Sequence, residues 1–251
     1  MGRYTGLPTL DIDFINPTEM SFDTKGGGIE GGRNGLGESV TIETTGGPVF
    51  VASYENCLAQ QPEEHEYINR VAARMNNSVR FMNVPVLSDY VGPFPLIKGR
   101  PTPIISGIPH SDGSLFSDDS GYSQATVFGT MGADAALNAG QITLNIYGAS
   151  RNLRWSDWFS IHHPIKGWRI YRYWDASDPV PVTEVIDGVS YTGQQYVLAI
   201  DIPLREAVPA GTRIEFARPR CVCKFPVGFT LAWRVRGFMR ANVSFQFVEA
   251  F

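Results

Sequence analysis

RVRGFMRANVSFQFVEAF, residues 234–251, sets Val243, Phe245 and Phe247 at alternate positions, the period of a strand with one buried face. Just upstream, Leu231, Trp233 and Val235 alternate in the same way. Strands of this kind bury a face only against other elements, so this pair is expected to complete a sheet begun elsewhere in the chain. The chain has 251 residues, is 43% hydrophobic and carries 26 Gly and 17 Pro, a composition suited to one or two all-β domains with many turns.

Charge narrows the partners. A net charge of −4 with 18% charged residues lacks the clustered Lys and Arg of a nucleic-acid binder, so no specific nucleic acid is expected. The N-terminal MGRYTGLPTLDIDF offers no signal-peptide run, and no segment reaches the roughly 18 apolar residues of a membrane helix, so no membrane insertion is expected. The three cysteines, Cys57, Cys221 and Cys223, are read as reduced thiols in cytoplasm. Cys221 and Cys223 have no second Cys or His pair at zinc-site spacing, so no metal is assigned.

Early in the chain LDIDFI, SVTIET and PVFVAS have strand character. Between them KGGGIEGGRNGLGES, residues 25–39, superficially suggests a phosphate loop. Lys25 precedes the glycines, however, and the chain leaves through Val40 and Ile42 into a strand, so a hairpin or edge loop able to pack on a neighbouring subunit is expected. One helix is expected from Pro62, with Glu63 and Glu64 at its positive end. Ile68, Val71, Ala72 and Met75 form its apolar stripe, and Asn76 and Asn77 end it. SVRFMNVPVL, residues 78–87, then reads as a strand, and the Pro/Gly-rich segment from Tyr90 to His110 as an extended connector.

From Gln141 the strand signal strengthens. Ile142, Leu144 and Ile146 alternate, Trp168 to Trp174 reads as one strand, Tyr196 to Ile202 shares a face, and Ile214 with Phe216 alternates against Arg213 and Glu215. HPIKG, DASDP and PAG separate these strands as turns. Together they suggest a compact barrel or sandwich of about eighty residues.

Catalytic chemistry lacks a motif in its required context, and no catalytic, cofactor-binding or metal-ligating residue is assigned. His65 and Glu66 lack the second His, since position 69 is Asn69. His162 and His163 are adjacent, point to opposite faces of an extended chain, and are read as turn histidines. Asp112, Asp118 and Asp119 lack the ligand rhythm and closing Glu of a calcium loop and are read as turn formers. Asp118, Asp119, Asp157 and Glu184 offer carboxylates for a hydrolase, with nothing singling out a pair. The sharpest binding signal is the aromatic cluster Trp155, Trp158, Trp168, Tyr171, Tyr173 and Trp174. Its strand-alternating positions assign most members to a core, and any exposed ones would suit a sugar or protein surface.

LRWSDWFSI, GWRIYRYW, YVLAIDIPLREAVPAGTRIEF and RPRCVCKF, in that order, resemble the distal tail and minor tail proteins of long-tailed, siphovirus-type bacteriophages. Such proteins show a strand of the type Leu-Arg-x-Gly-Asp-Trp-Phe, a Pro-Leu-Arg-x-Ala step and a Pro-Arg-Cys strand. The helix QPEEHEYINRVAARM running into VRFMNVPVL is similar to theirs. The likeness spans Gln61 to Leu87 and Gln141 to Phe251. It departs from the pattern at Ser156, where a glycine is common, and in the glycine-rich loop 26–37.

The resemblance implies a mainly β fold. Residues 1–95 with 226–251 would form a tail-tube-like β-sandwich ring domain carrying one helix, 96–139 an irregular connector, and 140–225 an inserted small oligonucleotide-binding-like or galectin-like β-barrel. It implies a non-enzymatic structural part of the tail tip, a homo-oligomeric ring (a hexamer) joining the tail tube to the baseplate or tip complex. Its partners would be its own copies, the tail tube protein and the tail hub or tip proteins. The location would be the virion tail, assembled in host cytoplasm. The alternative is a tail protein that binds host-surface glycan through exposed members of the Trp155 to Trp174 cluster, and a tail-associated hydrolase is a third possibility.

Overall fold

The computed structural model describes residues 3–43, 47–75, 78–86, 92–118, 120–155, 157–231, 234–236 and 240–251. The protein is mainly β, with antiparallel sheets and, among the described residues, one α-helix. The chain divides into two compact units. The first comprises Met1–Pro85, Pro164–Arg169 and Arg220–Phe251, and the second Val86–His163 and Ile170–Pro219.

In the first unit a sheet runs in the order β1 (Glu19–Lys25), β4 (Val49–Ala59), β20 (Arg240–Glu249), β18 (Arg220–Lys224) and β5 (Met82–Pro85), with β19 (Arg234–Arg236) on β20. The C-terminal strand thus lies between β4 and β18. Val243, Phe245 and Phe247 are buried as their alternation predicts, while Trp233 lies outside the described residues. Asn56 has φ +51° where the β4–β20 register shifts; asparagine tolerates this left-handed conformation better than most side chains. Tyr54 packs edge-on against Phe22 and Phe247, and its hydroxyl donates to the Pro85 carbonyl.

The helix α1 (Pro62–Met75) packs on β4 and buries Ile68, Val71 and Met75. Its predicted ends, Asn76 and Asn77, lie outside the described residues. Glu64, in the first turn, accepts from the backbone N–H groups of Gln61 at 2.9 Å and Gln60 at 2.6 Å and from the Asn16 amide at 2.7 Å. Partial burial raises its pKa, but these hydrogen bonds outweigh it and hold the carboxyl below its ordinary range. Because the folded value is depressed, the stabilisation is present above the unfolded pKa of about 4.3 and is lost as pH falls through the folded value. Glu64→Ala is therefore expected to cost about 1 kcal/mol at pH 7. Urea titrations of both proteins should show the gap closing below about pH 4.

The strand predicted over 78–87 is shorter than expected. Arg80 N–H bonds to the Met75 carbonyl, so residues 78–80 continue the helix exit and only Met82–Pro85 pairs; Leu87 lies outside the described residues.

The second unit contains a sheet in the order β12 (Phe159–His163), β17 (Arg213–Glu215), β10 (Phe128–Met131), β11 (Gln141–Tyr147), β16 (Val189–Ile200) and β14 (Tyr173–Ala176). β15 (Val180–Ile186) also pairs with β16. Ile142, Leu144, Ile146, Tyr196, Leu198, Ile200, Ile202, Ile214 and Phe216 form its core.

The connector expected over 96–139 is corrected. Its residues belong to the second unit, and β10 sits inside the sheet between β11 and β17. The same segment forms the short ribbons β6 (Leu96–Ile97) with β7 (Arg100–Pro101), and β8 (Ile104–Ile108) with β9 (Tyr122–Ala125). The division also falls at Pro85/Val86 and Pro219/Arg220 rather than near residues 95 and 225. The strand expected over 168–174 breaks at Arg172, with β13 (Gly167–Tyr171) on one side and β14 on the other. No helix among the described residues is long and apolar enough to cross a membrane.

Candidate interaction surfaces

The titratable groups weighed from the sequence have mainly architectural partners. Asp112 accepts from the N–H and hydroxyl of Ser114, and Asp118 from those of Ser120. These hydrogen bonds hold both exposed carboxyls below their ordinary range and define Asx turns. Asp119 lies outside the described residues. His162 and His163 are in β12 rather than in a turn; His162 is exposed and His163 buried, with His163 Nε2 2.8 Å from the Tyr171 hydroxyl. His65 is half-buried and Glu66 exposed on α1.

Glu184 accepts from Thr130, Asn145 and Tyr147 through one oxygen. The Tyr147 hydrogen bond leads in holding its carboxyl below the ordinary range. Among the described residues no group of three His, Cys, Asp or Glu is placed to hold a metal ion.

The aromatic cluster is dispersed. Tyr171 and Tyr173 are buried. Trp158 is half-buried with the Arg172 guanidinium 5.2 Å from its ring, and Arg172 pairs with Asp201 at 2.6 Å. Trp168 belongs to the first unit, where Arg220 lies 4.2 Å over its ring. Trp174 is exposed as the extra residue of a β-bulge, since Tyr173 pairs with Ile200 and Asp175 with Ala199. Trp155 is 75% exposed.

Trp155 lines a groove of about 490 Å³ within the second unit. Residues 152–155, Asp175, Ala176, Ser177 and Pro179 line it together with the buried Tyr173 and Tyr196. The Trp155 loop is held from within: Arg151 makes two hydrogen bonds of 2.7 Å to the buried Asp157, which also accepts from Arg154 N–H at 2.8 Å. No protein-family model matches this chain, and no curated protein matches its sequence.

The sequence likeness treated LRWSDWF as a strand, but residues 152–155 are a loop and pairing begins at Phe159. Ser156 lies outside the described residues. The Arg151–Asp157 pair was missed because a bidentate ion pair six residues apart has no periodic signature. Tyr196 as a groove residue was missed because its alternation marks it only as core.

In the first unit, β2 (Gly28–Arg33) and β3 (Ser39–Glu43) pair as a separate two-stranded ribbon. Asn34 closes its tip by accepting from Leu36 and Glu38 N–H. Every residue of β2 is exposed, and Ile29 faces its cross-strand partner Ile42. Ile29, Leu36, Val40 and Ile42 all present apolar surface to solvent.

Proposed function

We propose that this chain is a structural ring subunit of a phage tail tip, linking the tail tube to the baseplate or tip complex and packing against its own copies. The observation that carries this reading is the β2–β3 ribbon. A lone two-stranded ribbon is marginal in water, and its exposed Ile29, Leu36, Val40 and Ile42 make the kind of apolar surface that marks an association site. A neighbouring subunit laid against it supplies the missing packing, and a closed ring supplies the same neighbour to every copy. The resemblance of the sequence to tail proteins supports a position between the tube protein and the tip proteins, with six copies expected.

The purified protein should form rings in negative-stain images and run above monomer mass in light scattering. The double variant Ile29→Asp/Ile42→Asp should remain monomeric with an unchanged circular dichroism spectrum, because both side chains are exposed in the single chain. A wild-type protein that stays monomeric at high concentration would overturn the reading. Rings formed equally well by the double variant would overturn the role of the ribbon.

A further inference from the structure

The groove beside Trp155 combines a fixed frame with an aromatic surface left open to water. Asp157 is 1% exposed and receives both Arg151 hydrogen bonds and the Arg154 N–H, so the loop carrying Trp155 is set before any ligand arrives. That pre-organisation lowers the ordering cost of binding. The volume of about 490 Å³ lies inside the roughly 300–1,000 Å³ range of small-ligand sites. We propose that this groove binds a neutral oligosaccharide, with one sugar ring stacked on the Trp155 indole.

The chemistry of the walls selects this ligand. A sugar ring has an apolar C–H face and a rim of hydroxyls, which suits a flat aromatic face bordered by polar side chains. Here the exposed Asn152, Arg154 and Asp175 line the same groove as the indole. Arg154 and Asp175 contribute one charge of each sign, so the groove lacks the cationic cluster that phosphate or nucleic-acid recognition uses. Strand addition by a peptide is disfavoured because Ser177 N–H already donates to the Val197 carbonyl and Val197 N–H to the Ser177 hydroxyl. A proline-rich peptide is the remaining competitor, but such ligands sit between exposed aromatic ridges. Tyr173 and Tyr196 are instead buried, with Tyr196 donating to Gln194.

The proposal stands apart from ring formation, so the monomeric Ile29→Asp/Ile42→Asp variant should bind as the wild type does. The full chain is applied to a printed array of neutral gluco-, galacto-, manno- and N-acetylhexosamine oligosaccharides, with charged glycans and a decaproline peptide alongside. The strongest neutral glycan is then titrated while tryptophan emission is followed. Binding should change the emission, Trp155→Ala should weaken affinity by about tenfold or more, and Trp174→Ala should leave it unchanged. Asp175→Asn should weaken it less than Trp155→Ala does. The proposal is overturned if no neutral glycan binds above the Trp155→Ala background, if Trp155→Ala binds undiminished, or if only decaproline or the charged glycans bind.

Discussion

Glu249→Ala is expected to destabilise the first unit by about 3–5 kcal/mol, because it strands a guanidinium in the protein interior. Arg169 is fully buried and Glu249 is 3% exposed. Arg169 Nη1 donates to Glu249 Oε1 at 3.1 Å and to the Ala250 carbonyl at 2.7 Å, while Nε donates to the Lys166 carbonyl at 3.1 Å. The rings of Tyr4 and Phe251 each lie 5.5 Å from the guanidinium. Glu249 Oε2 also accepts from Phe50 N–H, so the same carboxylate ties β4 to the end of β20. Removing it takes away the carboxylate counter-charge that offsets desolvation of the guanidinium. The double variant Arg169→Met/Glu249→Leu should recover most of the loss, since an apolar pair of similar volume avoids that penalty. Thermal melts should show a drop of roughly 10 °C for the single variant. A loss under about 1 kcal/mol would show that the pair contributes little.

Gly193→Val is expected to destabilise the second unit by about 3 kcal/mol or more. Gly193 sits opposite Tyr147 on β11 and Val182 on β15. A Cβ there would lie 2.1 Å from the Ile146 carbonyl oxygen and 2.7 Å from Tyr147 Cδ1. Backbone cannot yield as a flexible side chain can, so the β11–β16 pairing must open. Gly188 provides the contrast. With Asp187 it forms the β15–β16 turn, both residues at positive φ, and its Cβ position faces open space. Gly188→Ala therefore meets only the conformational penalty, about 1 kcal/mol. Urea unfolding of both variants checks the ranking, and equal losses would refute the close-approach explanation.

The β class, the helix and the buried face of the terminal strand were readable because each has a period that local sequence carries: Ile68, Val71 and Met75 for α1, and Val243, Phe245 and Phe247 for β20. Features set by distant partners were not. Arg169 lies in a strand buried on both faces, and its partner is 80 residues away. Gly129 looked like part of a connector, yet its Cβ position is 2.9 Å from the Asn145 carbonyl oxygen; there a glycine signals close strand approach rather than a turn. The hairpin or edge loop expected for the glycine-rich segment is found as the β2–β3 ribbon, although its glycines gave no register for the pairing. For the groove, the tryptophans were visible as a group, but alternation could not show that the β14 bulge turns Trp174 away while the Asp157-anchored loop presents Trp155.

All three cysteines fall in the first unit, where each is a buried free thiol. Burial pushes the Cys57 thiol up to about 12 and raises that of Cys223 well above its ordinary value, so the attacking thiolate is scarce while the unit is closed. Alkylation therefore acts as a built-in clock for one half of the molecule. Its rate follows opening of the first unit alone, and the second unit, having no sulfhydryl, stays silent whatever it does.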